Sequence, residues 1–204
     1  MVDPKKWLEF GQKFHGHKCP AMPMGLRVAA AAMNKLGVDR APDGQLMALV
    51  DLGEDHCATC FADGVQVITG CTFGKGTIKK THKGKWTLTL IDKKNQKAVR
   101  VNPKGTVMAK NKESVFIKDF RAKGIPASQV PESVAEPLVQ AVMTPPDEEI
   151  LDISEVFPYQ YKDNPHTFNG FICESCGEMV VEKYGRVHGE MKLCQDCYAK
   201  IAEG

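Results

Sequence analysis

The sequence lacks any run of 18 consecutive apolar residues, which is about the minimum length of a membrane-spanning helix. Its first ten residues, MVDPKKWLEF, lack the apolar stretch of a secretory signal peptide. It has no internal repeat and no low-complexity segment, and 43% of its 204 residues are hydrophobic. These absences exclude repeat, disordered and membrane proteins. We expect a globular, cytoplasmic protein.

Nothing in the sequence indicates an oxidising compartment, so its eight cysteines are not expected to form disulfides. Thiols that stay reduced serve more often as metal ligands or nucleophiles. The cysteines separate into two sets of four, one in the first third of the chain and one near its end. Each set is a candidate site.

Acidic residues are scarce in the middle of the chain. Between Lys75 and Lys123 there are 15 lysines and arginines and three acidic residues, although the net charge of the whole chain is only +2. This imbalance predicts a positive surface, which would suit a polyanionic small molecule, a nucleic acid or an acidic protein partner. A solvated lysine-rich face without a partner is the alternative.

The order of helices and strands shows no regular strand-helix-strand alternation, which favours an α+β fold over a doubly wound sheet. A segment rich in proline and asparagine, 158–170, is typical of a linker. It would separate a mixed helix and sheet main domain, 1–157, from a small zinc-binding domain, 171–204. We predict helices at about 4–14, 21–36, 63–70, 112–123 and 131–143, and strands at about 45–52, 85–92, 98–102 and 149–157.

The C-terminal domain contains two Cys-x2-Cys pairs separated by seventeen residues. Four thiolates at this spacing can enclose one tetrahedral Zn²⁺ ion, which would stabilise a segment too short to bury a core of its own. The segment MVVEKYGRVHGEMKL between the pairs predicts one hairpin, and CQDCYAKIA predicts a helix, the order of a zinc ribbon or treble clef. A redox dithiol is the alternative. The predicted zinc ligands are Cys173, Cys176, Cys194 and Cys197.

The charge of this domain bears on its partner. From His166 to Gly204 there are four basic and six acidic residues. Since nucleic-acid binding requires basic residues to neutralise phosphates, nucleic acid is not the favoured partner. We expect the zinc domain to contact a protein partner or to brace the main domain.

In the main domain, the cysteines lie on turns instead of apolar faces. The segment HGHKC places His17 and Cys19 two residues apart, so that both side chains share one side of an extended backbone. The segment DHCATC holds Cys57 and Cys60, and the glycine-rich turn CTFGKG holds Cys71. These turns predict a second metal site or a reactive-thiol site, while inert packing of buried cysteines is the alternative.

We assign candidate roles within this site as follows. His17, Cys19 and Cys60 are candidate metal ligands, with Cys57 and Cys71 left open as further ligands. Asp63, one helical turn after Cys60, would orient a ligand or act as a base. Lysines near the turns would bind an anionic cofactor or substrate. The candidate catalytic residues are Cys60, Asp63, Cys71 and Lys75, and the candidate cofactor-binding residues are Lys75 and Lys85.

The segments FHGHKCPAMPMGLRVA, CFADGVQVITGCTFGKGT and HKGKWTLTL, in this order, resemble the FmdE family of formylmethanofuran dehydrogenase proteins. The resemblance spans about residues 10–92. Alanine at 21, glycine at 64 and threonine at 77 depart from the glycine, alanine and asparagine usual in the family. The matching residues are His15, Gly16, His17, Cys19, Pro20, Gly25, Arg27, Cys60, Asp63, Gln66, Gly70, Cys71, Thr72, Gly74, Lys75, Gly76 and Lys85.

The resemblance implies an association with an enzyme that reduces CO2 onto an amine carrier, using a molybdenum or tungsten pterin and iron-sulfur clusters. Some members of the family carry a C-terminal zinc finger, as expected here. This chain is too short to be the pterin-binding catalytic subunit, and it lacks the Cys-x2-Cys-x2-Cys-x3-Cys-Pro run of a ferredoxin.

Two functions follow from these observations. The first is a metal-binding protein, with enzymatic activity left open, whose His/Cys site binds or acts on a small anionic cofactor or substrate. The second is a non-enzymatic regulatory or accessory protein that binds nucleic acid or a partner subunit. Because Gly25 and the alanines at 29–32 permit close packing by another backbone or a second subunit, we also expect a homodimer.

Overall fold

The protein is described by a computed structural model that covers residues 1–164 and 166–202. Pro165, in the predicted linker, and residues 203 and 204, in the predicted zinc domain, lie outside the described residues. The chain divides into two compact units, Met1–Tyr161 and Lys162–Gly204. Within the described ranges, no helix combines the length and apolar character needed to cross a membrane.

Unit 1 contains six helices and six strands among its described residues. A 3-10 turn over Pro4–Trp7 leads directly into the first helix. The helices are α1 Leu8–His15, α2 Ala21–Leu36, α3 Phe61–Thr69, α4 Gly105–Lys112, α5 Glu132–Met143 and α6 Asp147–Ile150. The strands are β1 Leu46–Val50, β2 Ile78–Lys80, β3 Leu88–Asp92, β4 Lys97–Pro103, β5 Leu151–Ile153 and β6 Phe157–Pro158.

The six strands of unit 1 form one sheet in the order β2-β1-β3-β4-β5, with β6 also pairing with β4. All pairs are antiparallel except β1 with β2, which runs parallel. The predicted hairpin is present, since Leu88 to Asp92 pair in register with Val101 to Lys97. This mixed architecture confirms the expected α+β class.

Helix α2 is the centre of the core and is buried along most of its length. It packs against α3 so closely that a Cβ atom on Gly25 would lie 2.0 Å from the carbonyl oxygen of Phe61. A Cβ atom on Gly64 would lie 2.1 Å from the carbonyl oxygen of Met22. The close backbone approach expected at Gly25 is therefore confirmed. The same approach explains why this chain has glycine at position 64, where the family that it resembles usually has alanine.

Arg27 links α2 to the end of α5. Its guanidinium is buried and donates hydrogen bonds to the carbonyl oxygens of Val142 and Pro145, both at 2.8 Å. It also donates to the Asp147 carboxylate, which neutralises its charge. A buried arginine with this many acceptors holds two distant parts of the chain in place.

Three expectations for unit 1 need correction. The strand predicted at about 149–157 is interrupted, since α6 ends at Ile150 and two short strands, Leu151–Ile153 and Phe157–Pro158, follow it. The helix predicted at 112–123 is wrong: α4 ends at Lys112, and a π-helical turn over Phe116–Phe120 and a 3-10 turn over Arg121–Lys123 follow it. Strand β2 was not expected, because two of its three residues are exposed lysines without an alternating apolar pattern. It forms because Ile78 to Lys80 pair with Ala48 to Val50 of β1.

The described residues of unit 2 form two hairpins and one α-helix. The hairpins pair β7 Gly170–Ile172 with β8 Met179–Val181, and β9 Arg186–His188 with β10 Met191–Leu193. Helix α7 covers Gln195–Ala202. The expectation of a single hairpin between the two cysteine pairs is wrong. Strand β8 pairs with β7, which precedes the first cysteine pair, and a 3-10 turn separates β8 from β9.

Candidate metal centres

In unit 2, the four cysteines converge on one point. Cys173 and Cys176 lie in the turn between β7 and β8, Cys194 follows β10, and Cys197 lies in the first turn of α7. Their four sulfur atoms lie within 4.8 Å of one another, and those of Cys176 and Cys194 are 3.9 Å apart. Zn–S bonds of about 2.3 Å in a tetrahedron place sulfur atoms about 3.8 Å apart. This cluster could therefore hold a metal ion.

Backbone amides already point at these sulfur atoms. The N–H of Cys194 donates to the sulfur of Cys173 at 3.3 Å, and the N–H of Cys197 donates to the sulfur of Cys194 at 3.4 Å. Amide donors from Cys176 and Cys194 lower the pKa of Cys173 to about 6. Since metals bind the thiolate form, these hydrogen bonds prepare the cluster for a cation.

In unit 1, a second cluster forms where three helices begin or end. His15 is the last residue of α1, which ends at Gly16 with a positive φ of 90°. The turn that follows carries His17 and Cys19 to the start of α2, and Cys60 directly precedes α3. Because α2 and α3 are in backbone contact, the segments that carry the two cysteines are held at a fixed separation.

The ligand atoms of this core cluster are close together. Nε2 of His15 lies 3.1 Å from Nε2 of His17 and 3.5 Å from the sulfur of Cys19. These three atoms form a group in which all separations are within 4.8 Å. The sulfur of Cys60 lies 3.5 Å from that of Cys19. Tetrahedral zinc requires separations of about 3.4 Å for two nitrogens and 3.5 Å for nitrogen and sulfur, which these distances approach.

Asp63 lies behind the cluster and fixes the orientation of His15. Nδ1–H of His15 donates to Oδ2 of Asp63 at 2.7 Å, which leaves Nε2 facing His17 and Cys19. The side chain of His15 is only 8% exposed. A carboxylate behind a ligating histidine is the usual arrangement around protein-bound metals.

The charges of the metal-free cluster are tightly linked. The Asp63 carboxylate, with help from Cys19, raises the pKa of His15 to about 9. A hydrogen bond from Cys60 lowers the pKa of Cys19 to about 4, and the same contact together with burial raises the pKa of Cys60. The contact therefore favours one thiolate and one thiol in the Cys19–Cys60 pair, next to the His15 imidazole.

The structure brings together His17, Cys19, Cys60 and Asp63 of the predicted site. It adds His15, which the sequence reasoning noted but did not count among the ligands. Its spacing was available as a signal, because His15 lies two residues before His17 and four before Cys19. Asp63 was expected to orient a ligand, but the spacing could not reveal that its partner is His15, 48 residues earlier in the chain.

The other candidates have different surroundings. Cys71 is fully buried in the main hydrophobic core, and burial raises its pKa. The Lys75 ammonium donates to the carbonyl oxygens of Ala41 and Pro42 at 3.1 and 2.9 Å. Lys85 is exposed, and its backbone N–H donates to the carbonyl of Asp51.

An apolar cavity of about 520 Å³ adjoins the segments that carry the core cluster. Pro20 and Ala21, which follow Cys19, form part of its wall, and exposed Cys57 forms another part. Trp86 lies beside it, and the Nε1–H of that side chain is buried without an acceptor among the described residues. The lining comprises Pro20, Ala21, Met24, Cys57, Ala58, Phe61, Trp86, Met108, Ala109, Asn111, Lys112 and Ile117.

The fold and the two clusters define an α+β protein with two Cys/His groups that could bind metal ions. The family profile described as "FmdE, Molybdenum formylmethanofuran dehydrogenase operon" matches residues 14–152, more than half of the chain. The chain therefore belongs to the FmdE family, as its sequence resemblance predicted.

A curated relative from Archaeoglobus fulgidus, named "Probable S-adenosyl-L-methionine-binding protein", is 32% identical over 209 aligned positions. The match covers 95% of this chain but 54% of the relative, so this chain spans about half of that protein's length. A solved structure of a tungsten formylmethanofuran dehydrogenase FmdE-like protein from Syntrophus aciditrophicus is similar in fold. Its TM-score is 0.60 at 23% identity, covering 97% of this chain and 92% of that one.

Proposed function

We propose that the core cluster of unit 1 binds a functional Zn²⁺ ion and that the four cysteines of unit 2 bind a structural one. The observation that carries the first assignment is the contact of Asp63 with His15, which aims Nε2 at His17 and Cys19. Nitrogen and sulfur donors in a tetrahedral arrangement favour zinc over the harder cations. The same donor chemistry supports zinc in the four-cysteine cluster.

The number of ligands separates the two sites. In unit 2 four thiolates complete the coordination of the ion, as in structural sites. In unit 1 the ion is held by three mutually close ligands, His15, His17 and Cys19. The sulfur of Cys60 contacts only the sulfur of Cys19 within this group, at 3.5 Å. A bound zinc ion in such a site supplies Lewis-acid chemistry at its open position.

Each residue of the core cluster has a distinct task in this proposal. Asp63 keeps the proton of His15 on Nδ1, so that Nε2 stays available as a ligand. Cys19, as a thiolate, lowers the positive charge of the site. The thiol of Cys60 carries a proton next to Cys19, which it can give to a bound molecule or lose on becoming the fourth ligand.

The experiment that tests this proposal is metal analysis of the full chain by mass spectrometry after purification without added metal. We expect two zinc ions per wild-type chain and one in the Cys19→Ser and His15→Ala variants. Cys57→Ser is the matched control, since it removes an exposed cysteine from the loop before Cys60, and it keeps both ions. One ion in the wild type, or two in Cys19→Ser, would contradict the assignment.

S-adenosylmethionine is the compound to test first as a small-molecule ligand, because the name of the Archaeoglobus relative refers to it. Calorimetric titration of the zinc-loaded chain should give saturable binding at one site per chain. Absence of heat at millimolar ligand would remove this compound and leave the metal assignment intact.

A further inference from the structure

We propose that the cavity beside the core cluster binds an amphipathic organic anion, with a flat apolar body inside and an acidic end group at the rim formed by α4. This inference deepens the proposed function, on which it rests, by naming the class of molecule that would lie beside the segments that carry the metal ligands. It is carried by the chemistry of the lining, by the charges along α4 and by the cavity's position.

The interior of the cavity is almost entirely apolar. Most of the residues that line it are apolar, among them Met24, Trp86, Met108 and Ile117, together with alanines and a proline. The volume of about 520 Å³ is typical of pockets that enclose a small organic molecule. Aromatic and thioether walls of this kind favour a planar, weakly polar ring system over a sugar or a free phosphate.

Trp86 is the wall residue best placed to adapt to a ligand. The ring of His56 packs against its indole with centroids 5.1 Å apart and planes at 84°. Because the Nε1–H has no acceptor within the described part of the chain, packing alone holds the side chain in place. A small rotation would offer this donor to an acceptor atom of a bound molecule.

The rim carries a positive charge. Two polar residues at the end of α4 line the cavity: Asn111, which has an amide group, and Lys112, which has an ammonium group. The two acids of the neighbouring segment are neutralised by lysines, since Lys118 pairs with Glu113 at 2.5 Å and Lys123 pairs with Asp119 at 3.2 Å. Lys112 makes no ion pair among residues 1–164 and 166–202, although its charge also acts on the neighbouring Glu113. Its ammonium can therefore meet an anionic group of a ligand.

Helix α4 is a loosely packed wall of the cavity. None of its residues is buried, and it continues into the π-helical turn that follows Ser114 and Val115. Elements with few buried contacts open at low free-energy cost. Movement of α4 would widen the entrance on the side of Lys112 while α2 and α3 keep the opposite wall rigid.

Some residues that line the cavity are neighbours of the two core cysteines in the sequence. Pro20 and Ala21 directly follow Cys19, while Ala58 and Phe61 lie on either side of Cys60. A molecule inside the cavity therefore lies along both segments that carry the thiols. The acidic end at the rim would hold the apolar body in one orientation against these segments.

The test uses two fluorescent probes of similar shape. One is 8-anilinonaphthalene-1-sulfonate, which carries an anionic group, and the other is N-phenyl-1-naphthylamine, which lacks it. The zinc-loaded full chain is compared with Ala109→Trp, which fills the cavity from an exposed position on α4, and with Lys112→Ala. Lys110→Ala is the matched control, since it removes an exposed lysine of α4 that does not line the cavity.

We expect Ala109→Trp to weaken both probes at least tenfold. Lys112→Ala should weaken the sulfonate probe roughly fivefold and the neutral probe less than twofold, as for the loss of one partly exposed ion pair. Lys110→Ala should change neither. Equal melting temperatures of the variants exclude probe binding by unfolded chains.

Wild-type binding of both probes by Ala109→Trp would overturn the proposed location. Equal weakening of the two probes in Lys112→Ala would overturn the anionic class. Zinc content is measured in the same samples. Two zinc ions without probe binding refute the cavity alone, whereas probe binding with a single zinc ion refutes the metal function alone.

Discussion

At the scale of single residues, the contact between Asp63 and His15 has the clearest consequence. Replacing Asp63 by alanine removes the acceptor of the His15 Nδ1–H and frees the ring to rotate or change tautomer. We expect the affinity of the core site for zinc to fall about 10- to 100-fold, the usual effect of losing a carboxylate behind a ligating histidine. Competition with a chromogenic chelator measures this change.

Asp39→Ala serves as the control for that measurement, since it removes an exposed carboxylate far along the chain from the cluster. Asp63→Asn keeps an acceptor oxygen and should retain more affinity than alanine. Equal affinities for the wild type and Asp63→Ala would mean that the carboxylate does not orient the ligand.

Asp51 makes the stability of unit 1 depend on pH. Its carboxylate is 3% exposed and accepts hydrogen bonds from Thr81 at 2.6 Å and Arg100 at 3.0 Å. Burial raises its pKa, but the bonds from Thr81 and Lys83 and the charges of Lys83 and Arg100 outweigh burial, so the pKa lies below 3.8. Its stabilising contribution is present above the unfolded pKa and is lost as the pH falls through the folded pKa.

Asp51→Asn should therefore cost about 1 to 3 kcal/mol at neutral pH and progressively less as the pH falls below about 4. Urea denaturation at a series of pH values gives both numbers. A difference between variant and wild type that stays constant down to pH 2 would show that the charge of Asp51 is not what stabilises the fold.

The sequence predicted most residues of the core cluster but not their arrangement. Residues close in sequence, such as His17 and Cys19, reveal their shared role through spacing alone. Asp63 and Cys60 join the cluster only because α2 and α3 cross at glycines, and no local pattern contains that information. Conversely, Cys71 and Lys75 belong to the segments that carry the family resemblance, but they have other contacts. Cys71 packs in the hydrophobic core, and the Lys75 ammonium donates to two backbone carbonyl groups.

At the scale of elements, the crossing of α2 and α3 is the most sensitive point of the fold. Gly25→Ala and Gly64→Ala each place a Cβ about 2 Å from a backbone carbonyl oxygen, which cannot move as a flexible side chain would. We expect each change to destabilise unit 1 by at least about 2 kcal/mol, because overpacking here displaces a whole helix. Thermal denaturation measures the loss.

Gly105→Ala is the matched control for these two variants. It lies at the start of α4, where an added Cβ meets no atom within 4 Å. Because alanine favours helix, the variant should equal or exceed the wild type in stability by up to about 1 kcal/mol. Equal losses in all three variants would refute the steric explanation.

The elements that could be predicted are those with a strong pattern of their own. Helix α2 and the β3-β4 hairpin have long apolar periodicities and clear ends, and their predicted positions match the structure. Strand β2 exists only because β1 offers a parallel partner. Helix α4 begins with glycine, threonine and valine, which favour other conformations, so its sequence did not indicate a helix.

At the scale of the whole molecule, the two units differ in what stabilises them. Unit 1 has a large apolar core, whereas the buried apolar cluster of unit 2 consists of Cys173, Leu193 and Cys197 alone among its described residues. If the metal supplies the stability of unit 2, a strong chelator should remove amide-exchange protection from 166–202. Protection of the sheet in unit 1 should persist.

Hydrogen exchange followed by mass spectrometry makes this comparison peptide by peptide on the full chain. Adding zinc back should restore protection in β7 to β10. If chelation leaves unit 2 protected, its hairpins are stable without a metal, and the structural role proposed for that ion is wrong.

The short edges of the sheet in unit 1 limit how the molecule can associate. Strand β2 has three residues, two of them exposed lysines, and β5 at the other end also has three. Short, charged edge strands are poor templates for the strands of another molecule. The sheet of unit 1 is therefore poorly suited to extension by a second copy of the chain, and concentrated solutions should resist growth into fibres that continue this sheet.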